Sequence, residues 1–236
     1  MSELILFTVS TLPVILLGMY IYKKDKNKEP LKLLSKLFIG GILSTFLVLI
    51  LSDILSFAVP IFSRNIEELN SFELLLECFI HIALVEEICK WLVCYFISYN
   101  NEYFDEIYDM IVYTVFVALG FAFFENLLYV YSNGIGVGLL RAVSAVPGHV
   151  CDGIFMGYYL GLAKQSSINN RKDLKTKYII LSILVPTLTH GIYDYCLYLG
   201  NKYILILLFI FVIFIYIYSV KKIKRMSSIT LKMKDK

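Results

Sequence analysis

Charged residues are scarce in this sequence. Only 17% of its 236 residues are Asp, Glu, Lys or Arg, and 58% are hydrophobic. Soluble domains carry about 25% charged residues. Mean hydropathy is +0.73. This balance excludes an ordinary water-soluble domain and indicates an integral membrane protein.

The sequence also lacks the motifs of several enzyme and binding classes. It contains neither H-E-x-x-H, the pattern of zinc metalloproteases, nor G-x-S-x-G, the pattern of serine hydrolases. Its five cysteines form no C-x-x-C pair, so we expect them to pack inside the membrane rather than to build a redox or zinc framework. No nucleic-acid-binding motif is present, and the small positive net charge suits anionic lipid better than nucleic acid.

Long apolar runs are what the sequence has instead. Each is about 20 residues long, enough for an α-helix to cross the hydrocarbon core of a bilayer. We therefore predict an all-α, polytopic transmembrane bundle of about seven helices, forming a single integral membrane domain over 1–236. The predicted spans are 4–22, 37–60, 74–98, 107–131, 139–163, 178–199 and 203–219.

The distribution of Lys and Arg predicts the orientation of these spans, because basic loops stay on the cytoplasmic side. Of the 22 basic residues, 18 lie in 23–36, 164–177 and the tail after 220. This distribution predicts an N-terminus outside and a cytoplasmic C-terminus. The first apolar run is expected to be retained, since Met1–Glu3 has no basic stretch typical of a signal peptide.

Ionisable residues occur inside four successive predicted spans. A charged side chain near the bilayer centre costs about 2.5–3.5 kcal/mol on insertion scales, so such residues normally face a bundle interior or a wet cavity. Counted at about 1.5 Å per residue from the outer ends of the spans, several of them lie at a similar depth, which predicts one site. The residues are Glu86, Glu87, Lys90, Glu125, His149, Asp152, His190 and Asp194.

The first of these groups joins two adjacent carboxylates to an amine. Glu86 and Lys90 are four residues apart and share a helix face, whereas Glu87 points about 100° away. Neighbouring carboxylates can separate their pKa values, so that one acts as a base while the other holds a proton. The alternative is a purely structural ion pair between Glu86 and Lys90.

The remaining groups lie on later spans. Glu125 follows three aromatic residues in a span with no basic residue, so it needs a partner on another helix, and a plain helix-to-helix hydrogen bond is the alternative. Two histidines each have an aspartate three or four residues later, His149 before Asp152 and His190 before Asp194, so each of these aspartates can orient its own imidazole. Such a set can activate water or hold a divalent metal, and spacing alone does not choose between them.

Four motifs in this chain resemble those of one known family. They are E-E-x-x-K (Glu86, Glu87, Lys90), F-A-x-x-E-N (121–126), a lone His149 and H-x-x-x-D (His190, Asp194). Their order and spacing closely resemble the PrsW family of bacterial intramembrane proteases, over about 70–200. The layout is also similar to the CAAX prenyl-protease and bacteriocin-immunity group, in which the first motif ends in Arg and the second is typically F-x-x-x-H. Lys90 and Glu125 depart from that pattern and favour the PrsW branch.

The resemblance implies a multi-pass peptidase of the bacterial cell membrane, with a catalytic helical core over about 70–200. The basic cytoplasmic tail over 220–236 is predicted by the Lys and Arg distribution. Its implied partner is a membrane-anchored anti-sigma factor, cut near the outer face so that an extracytoplasmic-function sigma factor is released after later cuts in a stress response. Two other functions stay open. An ion- or proton-coupled transporter would use the same residues as a relay, and an inactive scaffold would not need them.

The hypothetical mechanism is hydrolysis by carboxylate-activated water, without an acyl-enzyme. Glu86 is the expected general base, and its two motif partners set its protonation. Glu125 and His149 would bind water or protonate the leaving amine, and His190, oriented by Asp194, would stabilise the oxyanion; these three roles are interchangeable. The predicted catalytic residues are Glu86, Glu87, Lys90, Glu125, His149, His190 and Asp194.

We expect no cofactor, because Lys90 places a positive charge beside Glu86 that disfavours a bound cation. A divalent metal such as zinc is the alternative. A metal held by Glu87, Glu125, His149 and His190 is one variant of that alternative, and the sequence alone assigns no metal ligands.

Overall fold

The computed structural model describes residues 3–228, and all regular structure in that range is helical. A π-helical segment (Glu77–Leu84) joins α3 to α4, so that the chain runs as one rod from 71 to 98. Short 3-10 turns occupy Pro60–Ser63 and Ile66–Glu68. The α-helices are α1 (Glu3–Lys24), α2 (Leu31–Ala58), α3 (Ser71–Leu76), α4 (Val85–Ser98), α5 (Ile107–Asn133), α6 (Ile135–Val143), α7 (Ala145–Ile168), α8 (Lys172–Leu199) and α9 (Lys202–Ser228).

Five of these helices are long and apolar enough to cross a membrane within the described range: α1, α2, α5, α8 and α9. The predicted spans 74–98 and 139–163 are not among them. The second is also broken at Ser144, where α6 ends and α7 begins. The rod and α7 carry ionisable residues that protein rather than lipid surrounds, and an enclosed helix needs less hydrophobicity than a lipid-facing one. Of the predicted tail, 229–236 lie outside the described residues.

Helix α5 is the centre of the bundle, and α2 and α7 approach it very closely. A Cβ atom at Gly41 of α2 would lie 2.1 Å from the carbonyl oxygen of Val117, and one at Gly120 of α5 would lie 2.0 Å from that of Phe38. On the other side, a Cβ at Gly157 of α7 would lie 2.5 Å from a carbonyl oxygen of α5. Glycine at these crossings lets the backbones touch, as is common in membrane bundles.

A buried acidic cluster fastens the loop between α1 and α2 to the start of α5. The Tyr113 hydroxyl donates to the Glu29 carboxylate, and the Asn27 amide donates to Glu106 at 2.7 Å. Burial raises the pKa of Glu29 to about 7, although the Tyr113 hydrogen bond opposes that rise. This cluster lies at the end of the bundle opposite the loop between α5 and α6.

An apolar groove of about 480 Å³ lies between α1, α2 and α5. Its floor is formed by Phe116, Leu119 and Phe123 of α5. Glu125 lies about 180–240° around the helix from these residues, so the groove and the ionisable residues are on different sides of α5.

Candidate active site

Four helical elements bring the predicted site residues into contact. On the rod, the site residues come just after the π-helical segment. On α5 and α8 they lie in about the last three turns, and on α7 they lie near its start. These positions lie toward the same end of the bundle, as the depth count predicts. The residues brought together are Glu86, Glu87, Lys90, Glu125, His149, Asp152, His190 and Asp194.

Lys90 occupies the middle of the cluster and is 2% exposed. Its Nζ lies 2.6 Å from Glu87 Oε1, 3.6 Å from Glu86 Oε2 and 3.3 Å from His149 Nδ1. It also lies 4.4 Å from the centre of the Phe121 ring. Lys90 therefore pairs more closely with Glu87 than with Glu86, the partner proposed in the ion-pair alternative.

His190 faces carboxylates through both ring nitrogens. Its Nδ1 lies 2.9 Å from Glu87 Oε1, and its Nε2 lies 3.3 Å from Asp194 Oδ2 and 3.8 Å from Glu86 Oε2. The predicted contact between His190 and Asp194 is present. When both nitrogens carry hydrogen, the ring can donate to the rod and to its own helix.

His149 has different partners from those that its spacing predicts. Its Nε2 lies 2.9 Å from Glu125 Oε2, and its Nδ1 faces Lys90. The expected pairing with Asp152 is wrong, because Asp152 instead accepts a hydrogen bond from the Thr189 hydroxyl at 2.5 Å. Contacts between helices have replaced the contact within α7.

Arg141 is a site residue that the sequence predictions missed. Its guanidinium lies 2.7 Å from Glu125 Oε2 and supplies the partner on another helix that Glu125 requires. One signal was available, since Arg141 is the only Lys or Arg between Lys90 and Lys164. His81, by contrast, lies apart from the cluster, 2.8 Å from Glu77 within the π-helical segment.

One carboxylate oxygen of the cluster has no hydrogen-bond partner among the described residues. Glu86 Oε2 is buried, and its nearest charged neighbours, at 3.6 and 3.8 Å, are beyond hydrogen-bonding distance. A buried acceptor left unsatisfied costs about 1–3 kcal/mol. Water or a reacting group beside this oxygen would remove that cost.

Four buried residues could hold a metal ion, and their donor set fits one. Ligand atoms of Glu87, His149, Asp152 and His190 lie within 4.8 Å of one another. Two imidazoles with carboxylate oxygens are a usual set for zinc and similar divalent ions. This set contains Asp152 where the variant considered from the sequence has Glu125. Glu125 is instead paired with His149 and Arg141.

Comparisons with known proteins agree on one family. A sequence model described as "PrsW family intramembrane metalloprotease" matches residues 29–220. A protein of Oceanobacillus iheyensis named "Protease PrsW" is 40% identical over 195 residues, covering 83% of this chain and 84% of its own.

Two further proteins with that name, from Geobacillus kaustophilus and Bacillus subtilis, are 35% identical over 193 residues and 34% identical over 186 residues. They match 81% and 78% of this chain, and 79% of their own lengths in each case. No solved structure matches.

Proposed function

The chain belongs to the PrsW family of intramembrane proteases, and from that premise we propose that it cuts a membrane-anchored anti-sigma factor near the outer membrane face. This cut would be the first of several that release an extracytoplasmic-function sigma factor. The relatives' name supports proteolysis over the transport alternative. The anti-sigma substrate is supported by the motif resemblance.

The proposed topology is seven membrane spans in the bacterial cell membrane, with the N-terminus outside and the C-terminus in the cytoplasm. Five helices meet the length and hydropathy of spans, and the rod from 71 to 98 and α7 would be the enclosed sixth and seventh. The basic residues support this orientation. It places the ionisable cluster in the outer half of the bundle.

The unpartnered oxygen of Glu86 is the observation that carries the proposed chemistry. A general base must reach the proton of its water, and Glu86 Oε2 is a buried acceptor that no described residue occupies. Glu87 is engaged on one oxygen by both Lys90 and His190, so it is the less available carboxylate. Lys90 contacts both carboxylates of the rod and also His149 of α7, so its ammonium fixes the position of the carboxylates relative to α7.

The imidazoles lie where they can serve the other steps of hydrolysis. His190, oriented by Asp194 and Glu87, can donate to an oxyanion that develops beside Glu86. His149, held by Glu125, can carry a proton toward the leaving amine. A divalent metal bound by Glu87, His149, Asp152 and His190 would polarise the scissile carbonyl and acidify a bound water.

Production of the full chain together with a membrane-anchored anti-sigma factor tests this function. The wild type should give a shortened anti-sigma product, and Glu86→Gln should lower its formation at least about a hundredfold, because a general base contributes about 10²–10⁴. Glu67→Gln is the matched control, since Glu67 is exposed on the loop before the rod. A Glu86→Gln variant that accumulates normally and cuts at the wild-type rate would refute the assignment of Glu86.

A further inference from the structure

A short helix brings Arg141 to the edge of the site. Arg141 is the only charged residue of α6, and its side chain is 14% exposed. Leu140 and Val143 of the same helix are each 68% exposed. The one cation of α6 is therefore directed inward, toward α5, while apolar side chains face outward.

Three residues of α5 hold the guanidinium in one orientation. One terminal nitrogen donates to Glu125 Oε2 at 2.7 Å, and Nε donates to Asn126 Oδ1 at 3.2 Å. The guanidinium carbon lies 4.0 Å from the centre of the Tyr129 ring. The Asn126 amide is itself fixed, because its nitrogen donates to the carbonyl of Ser10 in α1.

The Glu125 oxygen that Arg141 engages is the one that faces His149, at 2.9 Å from Nε2. A guanidinium can only donate hydrogen bonds, so it favours Glu125 as an acceptor. His149 then satisfies the same oxygen best when Nε2 carries the hydrogen. That arrangement leaves a lone pair on Nδ1, which faces the donor Nζ of Lys90 at 3.3 Å.

We propose that Arg141 is a positioning residue that, through Glu125, fixes His149 in the Nε2–H tautomer and directs the Nδ1 lone pair toward Lys90. Partners of this kind commonly orient an imidazole for proton transfer or metal binding. The catalytic consequence rests on the proposed function. The tautomer itself does not, because it follows from donors and acceptors alone.

Nitrogen NMR of the full chain, labelled with ¹⁵N-histidine, tests the tautomer directly. The chain has three histidines, and His81→Gln and His149→Gln variants assign their signals. In the wild type, His149 should show hydrogen on Nε2 and none on Nδ1. In Arg141→Met the carboxylate loses its fixed donor and can turn away, so His149 should show a mixture of tautomers.

Arg64→Met is the matched control. Arg64 also pairs with a glutamate, Glu73, at 2.8 Å, but on a loop and with 41% of its side chain exposed. This variant should leave the His149 signal unchanged. If Arg141→Met accumulates poorly, Arg141→Gln, which is uncharged but still polar, should give the same mixture.

Activity gives a second, separable readout. Arg141→Met should lower kcat about 10–100-fold, as loss of such a partner does, and leave KM within about twofold, because its guanidinium is engaged by residues of α5. An Nδ1–H tautomer in the wild type, or a His149 spectrum unchanged in both Arg141 variants, would overturn the role of Arg141 while leaving proteolysis intact. A tautomer change in a chain that cuts no anti-sigma factor would support that role and count against the proposed function.

Discussion

At the scale of single residues, the site depends on the way one buried ammonium is shared. Lys90 reaches two carboxylates of its own helix and the imidazole of α7, and it is almost fully buried. Removing one partner of a buried ion pair typically costs about 3–5 kcal/mol, because the other charge remains without compensation. The polar cluster is therefore a cooperative unit, and the effects of substitutions within it should not add.

Metal content can be predicted residue by residue. The family's description as a metalloprotease and the fitted donor set replace the sequence-based expectation of no cofactor, so we expect purified wild-type protein to hold about one divalent ion per chain. Binding would require Lys90 to release the Nδ1 lone pair of His149. Both His149→Ala and His190→Ala should lose the ion, because each removes a donor of the fitted set. His81→Ala is the matched control, since His81 lies outside that set. Elemental analysis and activity after chelation measure the outcome. Metal-free protein with full activity would instead support water activation by Glu86 alone.

Contacts within one helix were more predictable than contacts between helices, because sequence spacing fixes only the former. The pair His190 and Asp194 is present as the spacing of four predicts. His149 was expected to pair with Asp152 on the same ground, yet Glu125 competes successfully from α5. Arg141 was missed because its partner lies on another helix, and the sequence does not show how α6 turns back.

At the scale of the helical elements, the approach of α8 to the π-helical segment sets the distance between His190 and Glu87. A Cβ atom at Gly191 would lie 2.6 Å from the ring of Phe79, too close for any real contact. The absence of a side chain thus lets α8 pack directly on the segment that precedes Glu86. The π-helical winding itself rotates the residues that follow it, as such segments often do at functional sites.

Gly191→Ala should therefore lower proteolysis by an order of magnitude or more with little loss of membrane insertion, because the added Cβ forces α8 and the Phe79 ring apart and α8 carries His190. Gly136→Ala in α6 is the control, since no atom lies within 4 Å of its added Cβ. Cleavage rates at matched protein levels give the comparison. Equal rates in the two variants would show that this packing does not set the site geometry.

The buried carboxylate of Glu29, in the loop between α1 and α2, leads to a prediction about pH. Because the pKa of Glu29 is raised to about 7, the folded protein holds its proton more tightly than the unfolded chain does. The stability that Glu29 contributes is therefore fully present below its unfolded pKa of about 4.3, and it is lost as pH rises through 7. Glu29→Gln should raise the thermal midpoint relative to wild type more at pH 8 than at pH 5.

Thermal unfolding in detergent at the two pH values measures that difference, with Glu67→Gln as the exposed control. Each kcal/mol regained should raise the midpoint by about 2–4 °C for a chain of this size. A variant whose gain is the same at both values would show that Glu29 does not titrate differently on folding.

The helices themselves were predictable where an apolar run is long and uninterrupted, whether the helix is mostly exposed, as α1 is, or enclosed, as α5 is. Predicted span 107–131 corresponds to Ile107–Asn133, and 4–22 corresponds to Glu3–Lys24, because an uninterrupted apolar run leaves few other structures possible. The π-helical segment and the break at Ser144 were not predicted. The π-helical segment has no local pattern that distinguishes it from ordinary helix. The break had an available signal, because Pro147 has no N–H to donate to the carbonyl of Val143, the last residue of α6.

At the scale of the whole molecule, the ionisable cluster lies toward one end of the bundle and the acidic loop cluster lies toward the other. The cluster residues fall near the end of α5, the start of α7 and the end of α8. Glu106 lies just before the other end of α5, and Glu29 is hydrogen-bonded to Tyr113 near that same end. The orientation of the bundle in the membrane therefore decides from which side of the membrane the substrate must reach the ionisable cluster.

Reporter fusions test that topology, because basic segments are retained on the cytoplasmic side and 18 of the 22 Lys and Arg residues lie on one predicted side. A reporter after Tyr218 should be cytoplasmic, and one inserted at Gly134, between α5 and α6, should be outside. Two reporters are needed, because the loss of one span after Gly134 would change the side on which the tail lies without changing the side on which Gly134 lies. If the tail reads outside while Gly134 also reads outside, one of the last helices does not span. If both positions read cytoplasmic, the cluster faces the inner leaflet, and a cut near the outer face of an anti-sigma factor becomes geometrically impossible.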